Sequence, residues 1–143
     1  MRQVNRDELT YVIYSAMRGW TITLRKRVFN RHSNMQERDR ELAAAMIADK
    51  LRYLEIFGGE GAPLDQEGVA GAMARGIAAF PGAIGQLWTS GIAARHDEAR
   101  KAAAQLLCTA LEPYHVLSPA PLSDQVGFPA LIAPAHALAS KWP

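Results

Sequence analysis

Apolar residues recur at helical spacing over most of the first 112 positions. Leu9, Val12, Ile13, Ala16 and Met17 stand three and four residues apart, which is the pattern of a helix with one buried face. Asn5 suits the N-cap of that helix, Glu8 completes a capping box, and Val4 with Leu9 forms a hydrophobic staple. Gly19 supplies a stop. A second stripe, Ala43, Met46, Ile47, Leu51, Leu54 and Phe57, predicts a longer helix. Ser33 with Gln36, or Asn34 with Glu37, opens it, and Gly58 and Gly59 close it. Residues 65–112 predict three more helices. The first is capped by Asp65; the next has Pro81 in its first turn and ends at Gly91. The last runs from about Asp97 to Glu112, with Ala99, Ala103, Leu106, Leu107 and Ala110 inward, and Pro113 stops it.

Two segments depart from this pattern. In residues 20–29, Trp20, Ile22, Leu24 and Val28 alternate with Thr21, Thr23, Arg25 and Arg27, which predicts a short strand or extended segment. The same Trp20, Leu24 and Val28 also prolong the helical stripe. Tyr114 to Ser118 is the candidate strand partner. Residues 113–143 carry six of the 8 prolines, so no long regular helix is expected there. Leu131, Ile132, Leu138 and Trp142 are apolar enough to dock that stretch on the core as an ordered tail. No internal repeat is visible. The expected architecture is a single all-α or nearly all-α domain over residues 1–143, with five helices and a docked proline-rich tail.

Composition agrees with a packed domain. At 143 residues and 49% hydrophobic content, the chain can bury a core without a disulfide or a metal. A single cysteine, Cys108, excludes an internal disulfide and favours a reducing compartment such as the cytoplasm. No apolar run is long enough to span a bilayer, and the N-terminal segment lacks the pattern of a secretory signal.

Charge is unevenly spread. Residues 1–57 hold 11 Lys/Arg and 7 Asp/Glu, whereas residues 58–143 hold 5 and 7. Arg18, Arg25, Lys26, Arg27 and Arg31 follow one another without an intervening acid. Such a basic patch attracts phosphate or acidic partners. The acids at Glu37, Asp39 and Glu41 can also neutralise it as an ordinary solvated face.

The residues offer no catalytic machinery and imply no cofactor. His32, His96, His115 and His136 lack metal-ligand spacing, so no metal site is expected. Cys108 falls on the inward face of its helix and reads as core, not nucleophile. Gly58, Gly59 and Gly61 follow a helix and lack the Gly-Lys-Ser/Thr of a phosphate loop. Glu37 and Glu41, interleaved with Arg38 and Arg40, read as surface ion pairs.

Residues 73–91, MARGIAAFPGAIGQLWTSG, resemble the helix-turn-helix of phage repressor and Cro-like proteins. Ala74 stands where that family places a small residue for close helix packing. Met73, Ile77, Ala79, Ile84 and Leu87 match its apolar anchors. The resemblance implies a recognition helix after Phe80 and duplex DNA as partner. Its outward face would carry Pro81, Gly82, Gly85, Gln86 and Thr89, with Arg75 and Arg95 on flanking phosphates. Gln86 can pair an adenine edge with two hydrogen bonds. Ala78 occupies the position that usually holds the turn glycine, and Arg75 is the one charge between Val69 and Ala94. The Arg18–Arg31 patch or Arg95, Arg100 and Lys101 would have to supply phosphate attraction.

The sequence therefore supports a small DNA-binding regulatory protein. The second reading is a non-catalytic helical interaction or assembly protein, of the phage or mobile-element accessory kind, acting as a homo-oligomer or on a protein partner. On that reading residues 73–91 are simply two closely packed helices rich in small residues.

Overall fold

The structure, a computed structural model, describes residues 2–30, 32 and 34–119. In chain order they form β1 (Arg2–Gln3), α1 (Arg6–Met17), α2 (Ile22–Val28), α3 (Gln36–Lys50), β2 (Glu55–Phe57), α4 (Gln66–Ala78), α5 (Gly82–Trp88), α6 (Ala93–Ala110) and β3 (His115–Ser118). The chain is mostly helical. The expected all-α or nearly all-α domain of five helices, with a possible strand at 20–29, has among the described residues six helices and a small three-stranded sheet of order β1-β3-β2.

Local chemistry opens three of the helices. Asn5 accepts from the Glu8 amide (2.9 Å), Thr21 from the Leu24 amide (3.1 Å) and Asp65 from the Gly68 amide (2.7 Å). Each satisfies a donor that a helix start leaves unpaired, worth about 0.5–2 kcal/mol. The Thr21 cap overturns the expected strand at 20–29. Leu24 and Val28, one turn apart, are buried, while Ile22, which an alternating strand would turn inward, is 61% exposed. The helical period wins because it buries the two large residues against α3 without needing a ladder partner.

Two further boundaries are corrected. The long helix ends at Lys50 instead of running to Phe57; Leu54 folds back on Leu51, and Glu55–Phe57 become a strand. Met35 takes the N-cap of α3 with no side-chain bond, so Asn34 does not cap it, and Ser33 lies outside the described residues. Residues 115–118 are a strand, paired with β2 and β1 and not with 20–29. The expected docking of Leu131, Ile132, Leu138 and Trp142 falls outside the described residues.

The second half of the chain repeats the first. Arg6 and Gln66 open α1 and α4, Ile22 and Gly82 open α2 and α5, Lys50 and Ala110 close α3 and α6, and Glu55 and His115 open β2 and β3; 60 residues separate each pair. Hydrogen bonds obey the same offset. The Val4 amide donates to the Val116 carbonyl (2.9 Å), and the Leu64 amide donates to the Ile56 carbonyl (2.7 Å). In the β2–β3 ladder Ile56 faces Val116, with Glu55 opposite Leu117 and Phe57 opposite His115. Exchanging the halves reproduces that register, so an approximate two-fold axis passes through the Ile56–Val116 pair. The expectation of no internal repeat is overturned.

The two halves are exchanged. β1 pairs with β3, and Pro63 bridges Phe57 in the matching place. α1 packs chiefly on α6, and α4 chiefly on α3. Each half therefore completes the sheet and helix layer of the other, as in a swapped dimer joined into one chain. The core follows: Ile13 and Met73, Met17 and Ile77, Leu24 and Ile84, Ile47 and Leu107, and Leu51 and Leu111 are all buried.

Candidate nucleic-acid interface

α2 and α5 are the two short helices of the repeat, and aromatic rings at their ends meet. The rings of Trp20 and Trp88 stack with centroids 5.1 Å apart, and Phe29 stacks on Phe80 at 6.3 Å. Phe29 lies directly over Gly85: a Cβ at that glycine would come within 2.9 Å of the ring. Offset-stacked rings of this kind pin two helices whose own lengths are too short for stable isolated structure.

α5 presents one polar face. Ile84, Gly85 and Trp88 are buried, while Gly82, Ala83, Gln86 and Thr89 are exposed. That face borders an open groove of about 750 Å3, whose other walls are Lys26 and Phe29 of the α2 region, Gln36 and Arg40 of α3, and Asn30 and His32 between them. No acidic side chain lines it among the described residues.

The repeat explains the groove. Its walls on the α4–α5 side are Ala78, Pro81, Gly82 and Gly85; at the equivalent positions the first half carries Arg18, Thr21, Ile22 and Arg25. Ala78 and Gly82 present less bulk to the groove than Arg18 and Ile22 would, whereas Gly85, expected on the outward face, is buried beneath Phe29.

Several groups in the groove are already committed. The Thr89 hydroxyl donates to the Gly85 carbonyl (2.7 Å), and Gln36 Nε2 donates to the Val28 carbonyl (2.9 Å). Asn30 Oδ1 accepts from the His32 amide (3.0 Å). Gln86, Lys26 and Arg40 make no hydrogen bond or ion pair among the described residues and so present free donors to a ligand.

The structure gathers Gly82, Gln86 and Thr89 on the groove and adds Lys26 from the basic segment. Arg75 and Arg95 are exposed on α4 and α6 but do not line it. Arg27 turns to the buried Asp39, with Nε 3.5 Å from Oδ2. Arg18 and Arg25 do not line the groove, Arg18 lying over the Tyr14 ring instead, and Arg31 lies outside the described residues. Sequence reading missed Arg40, Asn30, His32 and Gln36. The spacing of Gln36 and Arg40, one helical turn apart, places them on one face of α3, but nothing in the sequence aims that face at α5.

The link from α4 to α5 differs from the glycine turn of the resemblance. Ala79 closes α4 at φ −91°, Pro81 precedes α5 at φ −58°, and Gly61 is the sole residue with positive φ among those described. The α1–α2 pair, capped by Thr21, repeats the arrangement. No helix is long and apolar enough to cross a membrane, and no group of three or more His, Cys, Asp or Glu side chains could hold a metal, both among the described residues.

No protein family, curated protein or solved structure matches this chain.

Proposed function

We propose that the protein binds duplex DNA with the exposed face of α5 against base edges and one strand's backbone laid along the α2–α5 groove. The observation that carries this reading is the groove itself. It joins Gln86 of α5 to Lys26 and Arg40 across a surface without acids. Phosphate contacts supply affinity and position, while a free carboxamide supplies base readout. Gly82 and Ala83 leave the start of α5 without bulk, so a base edge or sugar can approach the backbone there. Regulation of transcription would follow from such binding at a defined site.

Fluorescence anisotropy with duplex and single-stranded oligonucleotides over a salt series tests it. Duplex binding must weaken as salt rises, with log K linear in log salt. Gln86→Ala must weaken a selected site by more than it weakens random duplex, by about 1–3 kcal/mol. No duplex binding at low salt, or binding to single strands alone, overturns the reading.

The alternative of an assembly protein draws on Ile22, Leu42 and Ile92, which are 61%, 54% and 50% exposed. They lie on separate elements, and isolated exposed apolar residues are common on monomers. Light scattering that finds a stable oligomer would favour it.

A further inference from the structure

At positions equivalent to walls of the groove, the repeat sets arginines. Arg100 of α6 is the repeat equivalent of Arg40, and Arg18 and Arg25 stand where the second half has Ala78 and Gly85. The Arg18 and Arg100 guanidinium carbons lie 5.3 and 5.4 Å from the centroid of one ring, that of Tyr14. Arg25 is near enough to Arg100 that the two cations repel. Burial first, and that repulsion second, push the Arg25 guanidinium below its ordinary pKa.

Neutralisation within the cluster is incomplete. Its carboxylate is Asp97, which accepts from the Tyr14 hydroxyl and pairs with Lys101 (3.3 Å). Arg18, Arg25 and Arg100 form no ion pair among the described residues, and Nε of both Arg25 and Arg100 is buried without a hydrogen-bond partner. Gathering like charges costs free energy, and each unmet buried donor adds to it. Arg18 and Arg100 have their guanidiniums beside the Tyr14 ring, and the planar N–H fork of a guanidinium suits the oxygens of a tetrahedral anion.

We infer that Arg18, Arg25 and Arg100 form a phosphate-binding site distinct from the groove. The phosphate is either a backbone group of the nucleic acid proposed above, in which case the inference deepens that reading, or a free phosphate. The site needs no other part of the groove, so the two readings can fail separately.

The test uses the full chain, with inorganic phosphate and a short DNA duplex as probes, and the variants Arg25→Gln and Arg100→Gln. Without ligand, Arg25→Gln melts at or above the wild-type temperature, because a repulsive charge is gone; a purely structural arginine would give a lower melting point. If free phosphate is the ligand, it raises the melting temperature of the wild type and of neither variant. If the backbone phosphate is the ligand, each variant lowers the salt slope of duplex binding by about one. A phosphate response without duplex binding upholds this site and defeats the DNA reading. Duplex binding with unchanged slopes, and no phosphate response, upholds the DNA reading and overturns this one. Identical responses of wild type and both variants to both anions also overturn it.

Discussion

The ring of Phe29 occupies the space that a side chain at position 85 would need. A Cβ built on Gly85 falls 2.9, 3.1 and 3.2 Å from three atoms of Phe29, closer than packed carbon atoms tolerate. Phe29 cannot simply swing aside, because Phe80 and Trp88 hold it at ring separations of 6.3 and 5.8 Å. Gly85→Ala is therefore expected to destabilise the fold by about 1–3 kcal/mol, the usual cost of overpacking a filled site. Gly59→Ala is the control: nothing lies within 4 Å of its added methyl. It should be neutral or slightly stabilising. Urea denaturation of both variants decides the matter, and equal effects would show that Phe29 does not set the α2–α5 distance.

The exchange of parts between the two halves makes a second prediction. The connection between them is a tight loop in which the Gly58 amide donates to the Ala62 carbonyl (2.8 Å) and Gly61 turns the chain at φ 83°. The packing of α1 on α6 and of α4 on α3 does not pass through that loop. A protease site inserted between Gly59 and Glu60 should be cut without separating the halves. Size exclusion should show one species of about the intact 15.6 kDa, and a denaturing gel two fragments. Two separately eluting fragments would refute the exchanged arrangement.

What the sequence discloses follows from which interactions are local. The caps at Asn5 and Asp65 and the stripe of α1 were legible because they depend on neighbours three and four residues away. The segment at 20–29 misled because alternation and helical period share Leu24 and Val28; only burial against α3 decides between them. The strands are three or four residues long at most where they pair, and their partners stand about 60 residues or more away, so nothing local announces them. The repeat hid because Arg40 and Arg100, Ala43 and Ala103, Ala44 and Ala104, and Leu51 and Leu111 are its sole identities between residues 2–58 and 62–118. What persists is size and apolarity at buried positions, which many sequences satisfy. Of the groove, Gly82, Gln86, Thr89 and Lys26 were nameable in advance; Arg40 was not, because its place depends on tertiary packing that brings α3 to the groove.

Cys108 makes a third prediction. It is 3% exposed on α6, with Sγ 3.6 Å from the Arg6 carbonyl. Burial raises its thiol pKa, against the opposing effects of Thr10 and Arg6. Its neutral thiol contributes stability below the ordinary thiol pKa, and that contribution fades as pH climbs through the raised folded value. Alkylation at pH 8 should therefore be slow in the native protein and faster by about 10³ or more in denaturant, since reaction must await opening. Comparable native and denatured rates would place the thiol at the surface.

Asp97 gives the last prediction and links stability to the arginine cluster. Burial alone would raise its pKa, but hydrogen bonds from Tyr14 and Lys101 and the charges of Lys101 and Arg100 outweigh it and hold the carboxyl below its ordinary value. A group so depressed stabilises the folded state above its unfolded pKa, about 3.9, and loses that contribution as pH falls through the folded value. Its side chain is 44% exposed, so solvent screening limits the effect to about 1 kcal/mol or less. Asp97→Asn should be less stable than wild type at pH 7, and the gap should narrow between pH 7 and pH 3, as the pH falls below the unfolded value and toward the depressed folded one. Urea midpoints at the two pH values measure it. Because Asp97→Asn also leaves Arg100 and Lys101 without their carboxylate, added phosphate should recover part of the loss at pH 7 if the cluster binds that anion. A gap that widens in acid would mean that Asp97 is held by packing and not by charge.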